Sequence, residues 1–300
     1  MNNIKNIFSI KDLEHLSGIK AHTIRIWEKR YNILEPMRSE TNIRNYDIKN
    51  LQKLLNIVLL HNYGYKISKI ALLNPEEISN KVKEIISQKT AKIHAINDFK
   101  MAMMHFDHSL FFKTYDELLK EKSFREVFYE VFIPLMEELG YLWQTETISP
   151  AHEHFISYLI KQKLLSITES IQKNQAVNKD TAYVLYLPLN EIHELGLMYL
   201  NYEFLDHGFY TIYLGESVPI ESLTDLKNYF EKITFVTYMT VEPNVLEIDD
   251  YFKTFNESIL KDTNHELLVL GRLVQEIDVK KLPPKIKTYN SISELVTDFN

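Results

Sequence analysis

The stretch Thr23-Ile24-Arg25-Ile26-Trp27-Glu28-Lys29-Arg30-Tyr31 carries an apolar stripe and a cationic one on the same nine residues. At 3.6 residues per turn, Ile24, Trp27 and Tyr31 share a face while Arg25, Lys29 and Arg30 project elsewhere, so the spacing predicts an amphipathic helix over 22–31. Upstream, Ser9 is placed to cap a short helix that runs through Ser17 and stops at Gly18. Two short helices with a tight joint predict a helix-turn-helix. The segment from Asn32 to Tyr46 is polar, contains Pro36, and sets Arg38 and Arg44 around a hairpin or wing. Asp47 then caps a third helix that ends at Gly64.

The charge distribution singles out the same end of the chain. Net charge over the 300 residues is −7. Residues 1–70 nevertheless hold 12 Lys/Arg against 6 Asp/Glu, and the remaining 230 hold 22 against 35. The basic end is therefore the candidate phosphate-binding surface. The absence of cysteine removes disulfides, thiolate zinc sites and thiol nucleophiles, leaving His and carboxylates as the strong metal ligands. No stretch reaches the ~18 uninterrupted apolar residues of a membrane span and the N-terminus lacks a signal-peptide core, so the expected setting is the cytoplasm, with no membrane partner.

Asn74-Pro75-Glu76-Glu77 is a helix start: a cap, a proline at the first helical position and acids at the positive end of the dipole. Apolar groups at helical spacing recur over Phe99–Met104, Leu110–Leu119, Phe124–Leu139 and Phe155–Ile167, which predicts an antiparallel four-helix bundle. Beyond Lys173–Asp180 the pattern changes. Short β-branched and aromatic runs at Ala182–Leu189, Tyr210–Leu214, Ile233–Met239, Leu267–Leu270 and Ile286–Tyr289 alternate with helical segments, the mark of a parallel sheet with crossover helices. The expected fold class is thus multidomain α plus α/β. A winged helix-turn-helix occupies 1–73, a helical bundle 74–175, and a doubly wound parallel domain 180–300 with its ligand site at the carboxyl ends of the strands.

Residues 6–73, with Arg25, Trp27-Glu28, Arg30-Tyr31, Leu34, Pro36, Arg38, Arg44 and Tyr46 in their spacing, resemble the MerR family of transcription regulators. The resemblance implies that helix 22–31 enters the major groove of double-stranded DNA while the arginine-bearing wing grips the backbone. His22, Thr23, Arg25, Lys29, Arg30, Tyr31, Arg38, Arg44 and Tyr46 are the candidate DNA-binding residues. A plainer reading pairs Arg25 with Glu28 on a solvated face and puts Tyr31 and Tyr46 in the core. Proteins of this kind act as homodimers on inverted-repeat operators, and two-fold protein symmetry then matches two-fold DNA symmetry. Higher assembly to a homotetramer and control by an antirepressor protein are further partner expectations.

In the α/β part, Glu191-Ile192-His193-Glu194-Leu195-Gly196 resembles the Asp/Glu-x-His-x-x-Gly motif of cobalamin-binding domains. The resemblance implies that His193 ligates cobalt from below, that Glu191 holds the imidazole tautomer, and that Gly196 lets the cofactor pass close to a helix. Such a pairing suits the chemistry, because a carboxylate on the second ring nitrogen fixes which nitrogen faces the metal. Trp143, nine intervening residues and Glu153-His154 are similar to a signature of the light-sensing adenosylcobalamin repressors of carotenoid synthesis, where these groups cover the upper, adenosyl face. The plainer alternatives are a bundle-core tryptophan and a surface Glu-His pair beside His152. A metal site on His152 and His154 is disfavoured, because residues two apart on a helix diverge.

This chain also departs from that pattern. Thr237-Tyr238-Met239 stands where relatives carry a small Ser-x-Leu or Ser-x-Thr segment that receives the displaced nucleotide tail, and Gly271-Arg272 stands for paired glycines. Gln144 replaces the histidine that takes cobalt after photolysis, which argues against a bis-histidine light adduct. The cofactor expectation is cobalamin in its adenosyl form, held by Trp143, Glu153, His154, Glu191, His193, Gly196, Thr237 and Gly271. The reading overall is a non-enzymatic, DNA-binding repressor whose cobalamin controls oligomerisation and DNA affinity. Two rivals stay open: an apo α/β module for dimerisation or protein binding, and a cobalamin-dependent methyl-transfer module.

Overall fold

A computed structural model describes residues 7–38, 43–62, 64–84, 88–145, 147–173 and 178–299. The chain divides into two compact units, residues 1–160 and 161–300.

The first unit opens with β1 (Ile7–Phe8), α1 (Ile10–Ser17) and α2 (Ala21–Tyr31). Ser9 and Asp12 form a reciprocal capping box at the start of α1, worth ~1 kcal/mol, and Gly18 ends it in the left-handed region at φ 72°. The joint to α2 is held by the Glu14 carboxylate, which accepts from the Ala21 amide at 2.9 Å and pairs with Lys20 at 3.0 Å. β2 (Met37–Arg38) and β3 (Arg44–Asp47) form the wing, with Arg38 opposite Arg44; residues 39–42 at its tip lie outside the described residues. β3 also pairs with β1, so it is the central strand of a three-stranded sheet. α3 (Ile48–Asn62) follows, with Asn50 donating its amide to the Asp47 carboxylate.

After the short α4 (Ile67–Ile70) come α5 (Pro75–Glu84), α6 (Gln88–His105) and α7 (His108–Leu118). α8 (Phe124–Val127) runs through a π turn over Phe128–Phe132 into α9 (Ile133–Gln144), and α10 (Pro150–Gln172) completes the helices. A cluster of rings, Phe99, Phe111, Tyr115 and Phe132, fills the helical core, with Phe99 4.9 Å from Phe111 and 5.5 Å from Phe132 between centroids.

The second unit begins within α10 and is built on β4 (Asn178–Tyr186), β5 (Phe209–Gly215), β6 (Lys232–Tyr238), β7 (Glu266–Leu270) and β8 (Ile286–Thr288), all parallel, in the order β5-β4-β6-β7-β8. Side chains alternate across the sheet as strand geometry requires. Val184, Tyr186, Ile233 and Phe235 face the core under α12 (Ile220–Thr224) and α13 (Ile248–Phe255). α11 (Leu195–Asp206) packs along β4 and β5, and Phe204 near its end meets Phe299, just beyond α14 (Ile292–Thr297), at 4.8 Å. The crossover from β7 to β8 consists of single 3-10 turns at Arg272–Glu276 and Val279–Lys281. The strand order reverses between β4 and β6, which makes the crevice at their carboxyl ends the ligand position of such a sheet.

Candidate functional site

In the DNA-binding module, α2 buries Ile24 and Trp27 and leaves His22, Arg25, Lys29 and Arg30 exposed. Trp27 packs edge-on against His61 of α3 at 5.3 Å, which anchors the helix to the domain core. Thr23 and Tyr31 are half-buried, and the Arg30 guanidinium lies 5.4 Å from the Tyr31 ring centre. Arg38 is exposed on the wing. An exposed helix of this charge can meet phosphates and base edges in the major groove.

One alternative reading is set aside here and one expectation is corrected. Glu28 pairs not with Arg25 but with the wing: its Oε1 accepts from Arg44 Nε at 2.9 Å and its Oε2 accepts from the Tyr46 hydroxyl at 2.8 Å. Tyr46 is fully buried, so it braces the wing and cannot itself touch DNA. Burial, followed by the bond to Glu28, pushes its phenol pKa well up. Sequence reasoning missed Glu28 as the tie between recognition helix and wing; its signal was a lone carboxylate within a cationic stretch.

In the second unit, the loop after β4 places Glu191 and His193 at the carboxyl edge of the sheet. Asn190 adopts φ 67° and donates its amide to Ser217 Oγ, while the Ser217 amide donates to the Glu191 carbonyl, so the β5 side braces the loop. The Glu191 side chain is buried and holds five backbone amides. Oε1 accepts from Ile192 and His193, and Oε2 from Thr240, Val241 and Glu242 at 2.7–3.0 Å. Oε1 also lies 2.6 Å from His193 Nδ1, and the His193 side chain is 53% exposed. Burial alone would raise the Glu191 carboxyl pKa; the bond to His193 and the amides of Glu242, Val241 and His193 outweigh it and hold it well below the ordinary 4.5. A carboxylate on Nδ1 would direct Nε2 toward a bound metal, as carboxylate-held histidine ligands do. The amides of 240–242, missed in the sequence, are what immobilise this pair.

The two glycines expected beside the cofactor pack against the chain itself. A Cβ on Gly196 would stand 2.7 Å from the Tyr238 ring, so the missing side chain accommodates a tyrosine. Gly271, at φ 104°, lies against the Met239 backbone; a Cβ there would meet the Met239 carbonyl at 2.3 Å. Thr237 is fully buried. Arg272 is exposed. The Glu191–His193 pair thus has the donor arrangement that could hold a corrinoid's metal.

Among the bundle residues, Trp143 is 56% exposed near the end of α9 and is therefore not a core aromatic. Glu153 and His154 share the first turn of α10, with His154 Nε2 3.9 Å from Glu153 Oε2 and Ser157 Oγ donating to Glu153 at 2.6 Å. His152 is buried and stacks on Phe106 at 4.8 Å, so it diverges from the exposed His154. The Gln144 side chain lies outside the described residues. No cluster of three metal-ligating side chains occurs among the described residues.

The MerR HTH regulatory profile matches residues 8–76, and a B12-binding domain profile matches residues 95–166. The chain thus carries a MerR-type HTH module and a B12-binding domain in this order, followed by a five-stranded parallel sheet. The chain is 27% identical to the HTH-type transcriptional repressor CarH of Myxococcus xanthus over 222 residues, covering 72% of this chain and 73% of that protein. It is 24% identical to the repressor CarA of the same organism over 221 residues, 71% and 70% of the two chains. The monomethylamine corrinoid protein of Methanosarcina barkeri superposes with a TM-score of 0.56 at 14% identity, covering 68% of this chain and 96% of that one, a likeness of fold.

Proposed function

We propose that the chain is a repressor that binds an inverted-repeat operator as a homodimer through α2 and the wing, and that a corrinoid held on His193 changes its assembly and hence its DNA affinity. The observation that carries the sensor half is the Glu191–His193 pair: a buried carboxylate fixed by five amides sets the orientation of an exposed imidazole. Trp143, Glu153 and His154 are proposed as further ligand-facing residues; Trp143 and His154 are exposed and Glu153 is half-buried. When bound, the corrinoid would supply a cobalt centre able to take a histidine ligand. His193 would hold it, Glu191 would orient His193, and this hold would be coupled to the DNA-binding form. Control requires that the two assemblies differ in affinity for the ligand.

A gel shift on the DNA upstream of the gene, run with and without corrinoid for wild type and His193→Ala, tests both halves. Wild type should retard the DNA with an affinity that changes on loading, and His193→Ala should retard it unchanged. Loss of retardation in wild type under all conditions refutes gene control. Failure of wild type to retain any corrinoid after gel filtration refutes the sensor. The packing of Tyr238 on Gly196 favours a second reading, an α/β module that works without cofactor in dimerisation or antirepressor binding; that last outcome is its signature.

A further inference from the structure

Cobalamin carries its own lower base on a nucleotide arm that includes a phosphodiester. For His193 to take the lower face of the ring, the arm has to leave it and be housed elsewhere. In a parallel sheet of order β5-β4-β6-β7-β8 the available place is the crevice at the carboxyl ends of β4 and β6. That crevice begins at the His193 loop on one side and at Tyr238, the last residue of β6, on the other.

One side chain narrows it. The Tyr238 ring lies against Gly196 so tightly that even a methyl group there would approach within 2.7 Å. A cleft of about 520 Å³ at this edge is lined by thirteen residues that include Glu221, Glu242, Glu247 and Asp250 and no Lys, Arg or His. An acidic lining without a basic residue disfavours a phosphodiester.

We infer that the His193 site takes the corrin ring without an inserted nucleotide arm, that its preferred ligands are arm-free corrinoids of the cobinamide class, and that Tyr238 is the residue that sets this preference. The inference rests on the corrinoid reading above and narrows it. Gly196 keeps a role, which is to receive the tyrosine ring.

The test titrates the full-length protein with adenosylcobinamide and with adenosylcobalamin, following the absorbance of the retained chromophore after gel filtration. Wild type should bind adenosylcobinamide at least about tenfold more tightly, the factor that corresponds to about 1.4 kcal/mol. Tyr238→Ser should bring the two ligands to within about threefold of each other, and Tyr238→Phe, which keeps the ring, should preserve the preference. The wild-type comparison stands even if the serine variant fails to fold. Equal affinity of wild type for both ligands overturns the inference while leaving the corrinoid reading intact. Retention of neither by wild type overturns both.

Discussion

His15 Nδ1 of the DNA-binding module lies 2.8 Å from Oγ1 of Thr147, a fully buried threonine in the loop that joins α9 to α10. The same loop connects the helix bearing Trp143 to the turn bearing Glu153 and His154, so the proposed ligand-facing residues and the recognition module share one hydrogen-bonded junction. The His15 ring also packs edge-on against Tyr141 at 5.5 Å. Lys100, buried, reinforces this contact by reaching the Leu16 carbonyl and pairing with Glu138. Thr147→Val should lower the stability of the first unit by about 1 kcal/mol, the worth of one such bond. It should also shrink the difference in operator affinity between corrinoid-free and corrinoid-loaded protein. Denaturant titration and fluorescence anisotropy measure the two effects; an unchanged affinity difference refutes the junction as a coupling element.

Glu28 ties the recognition helix to the wing, and its removal should act on both. Glu28→Ala leaves the Tyr46 hydroxyl buried without its acceptor and frees Arg44, a loss of about 2–3 kcal/mol for charge-assisted bonds. DNA affinity should fall with it, because the wing no longer holds its angle to α2. Arg25→Ala, on the exposed face, should weaken DNA binding without a stability loss and reduce the slope of log affinity against log salt by about 1 if it meets a phosphate. Unfolding curves for the two variants separate these effects.

Much of this architecture was readable from local signals. Ser9 and Gly18 bound α1, and the change from helical to alternating pattern after residue 180 marked the sheet, because caps and periodicity depend on neighbours in sequence. What could not be read depended on residues that meet only in space. Tyr46 read as a DNA-binding candidate and, more readily, as a core residue; its burial follows from β3 pairing on both edges, with β1 and β2. The Glu191–His193 pair was legible from spacing, but the amides at 240–242 that fix it arrive from fifty residues away. Tyr238 was recognisable as an unusual residue, whereas its position against Gly196 required the sheet order.

The depressed Glu191 carboxyl makes the second unit sensitive to acid in a definite direction. A group whose pKa is lower folded than unfolded adds stability that is fully present above the unfolded value and is lost as pH falls through the folded one. The loss therefore begins near the ordinary 4.5 and deepens below it. Glu191→Gln removes the charge at every pH, so it should cost about 2 kcal/mol or more at pH 7 and progressively less below pH 4.5, as wild type forfeits the same contribution. Unfolding midpoints of both proteins from pH 7 to pH 3 give the comparison. Parallel curves would mean that the carboxylate charge does not hold the loop.

The chain has two tryptophans in opposite environments, and this makes its fluorescence a site-specific probe. Trp27 is 6% exposed and packs on His61, whereas Trp143 is 56% exposed. Emission should accordingly combine a blue, shielded component from Trp27 with a red, water-exposed component from Trp143. Trp143→Phe should remove the red component and leave stability within about 0.5 kcal/mol of wild type, as expected for a surface position. Trp27→Ala, by contrast, empties a core site and should cost about 3–5 kcal/mol. If Trp143 covers the bound ligand as proposed, corrinoid addition quenches the red component of wild type, and Trp143→Phe loses that quenching together with part of its corrinoid affinity. Quenching confined to the blue component would place the ligand elsewhere and remove Trp143 from the site.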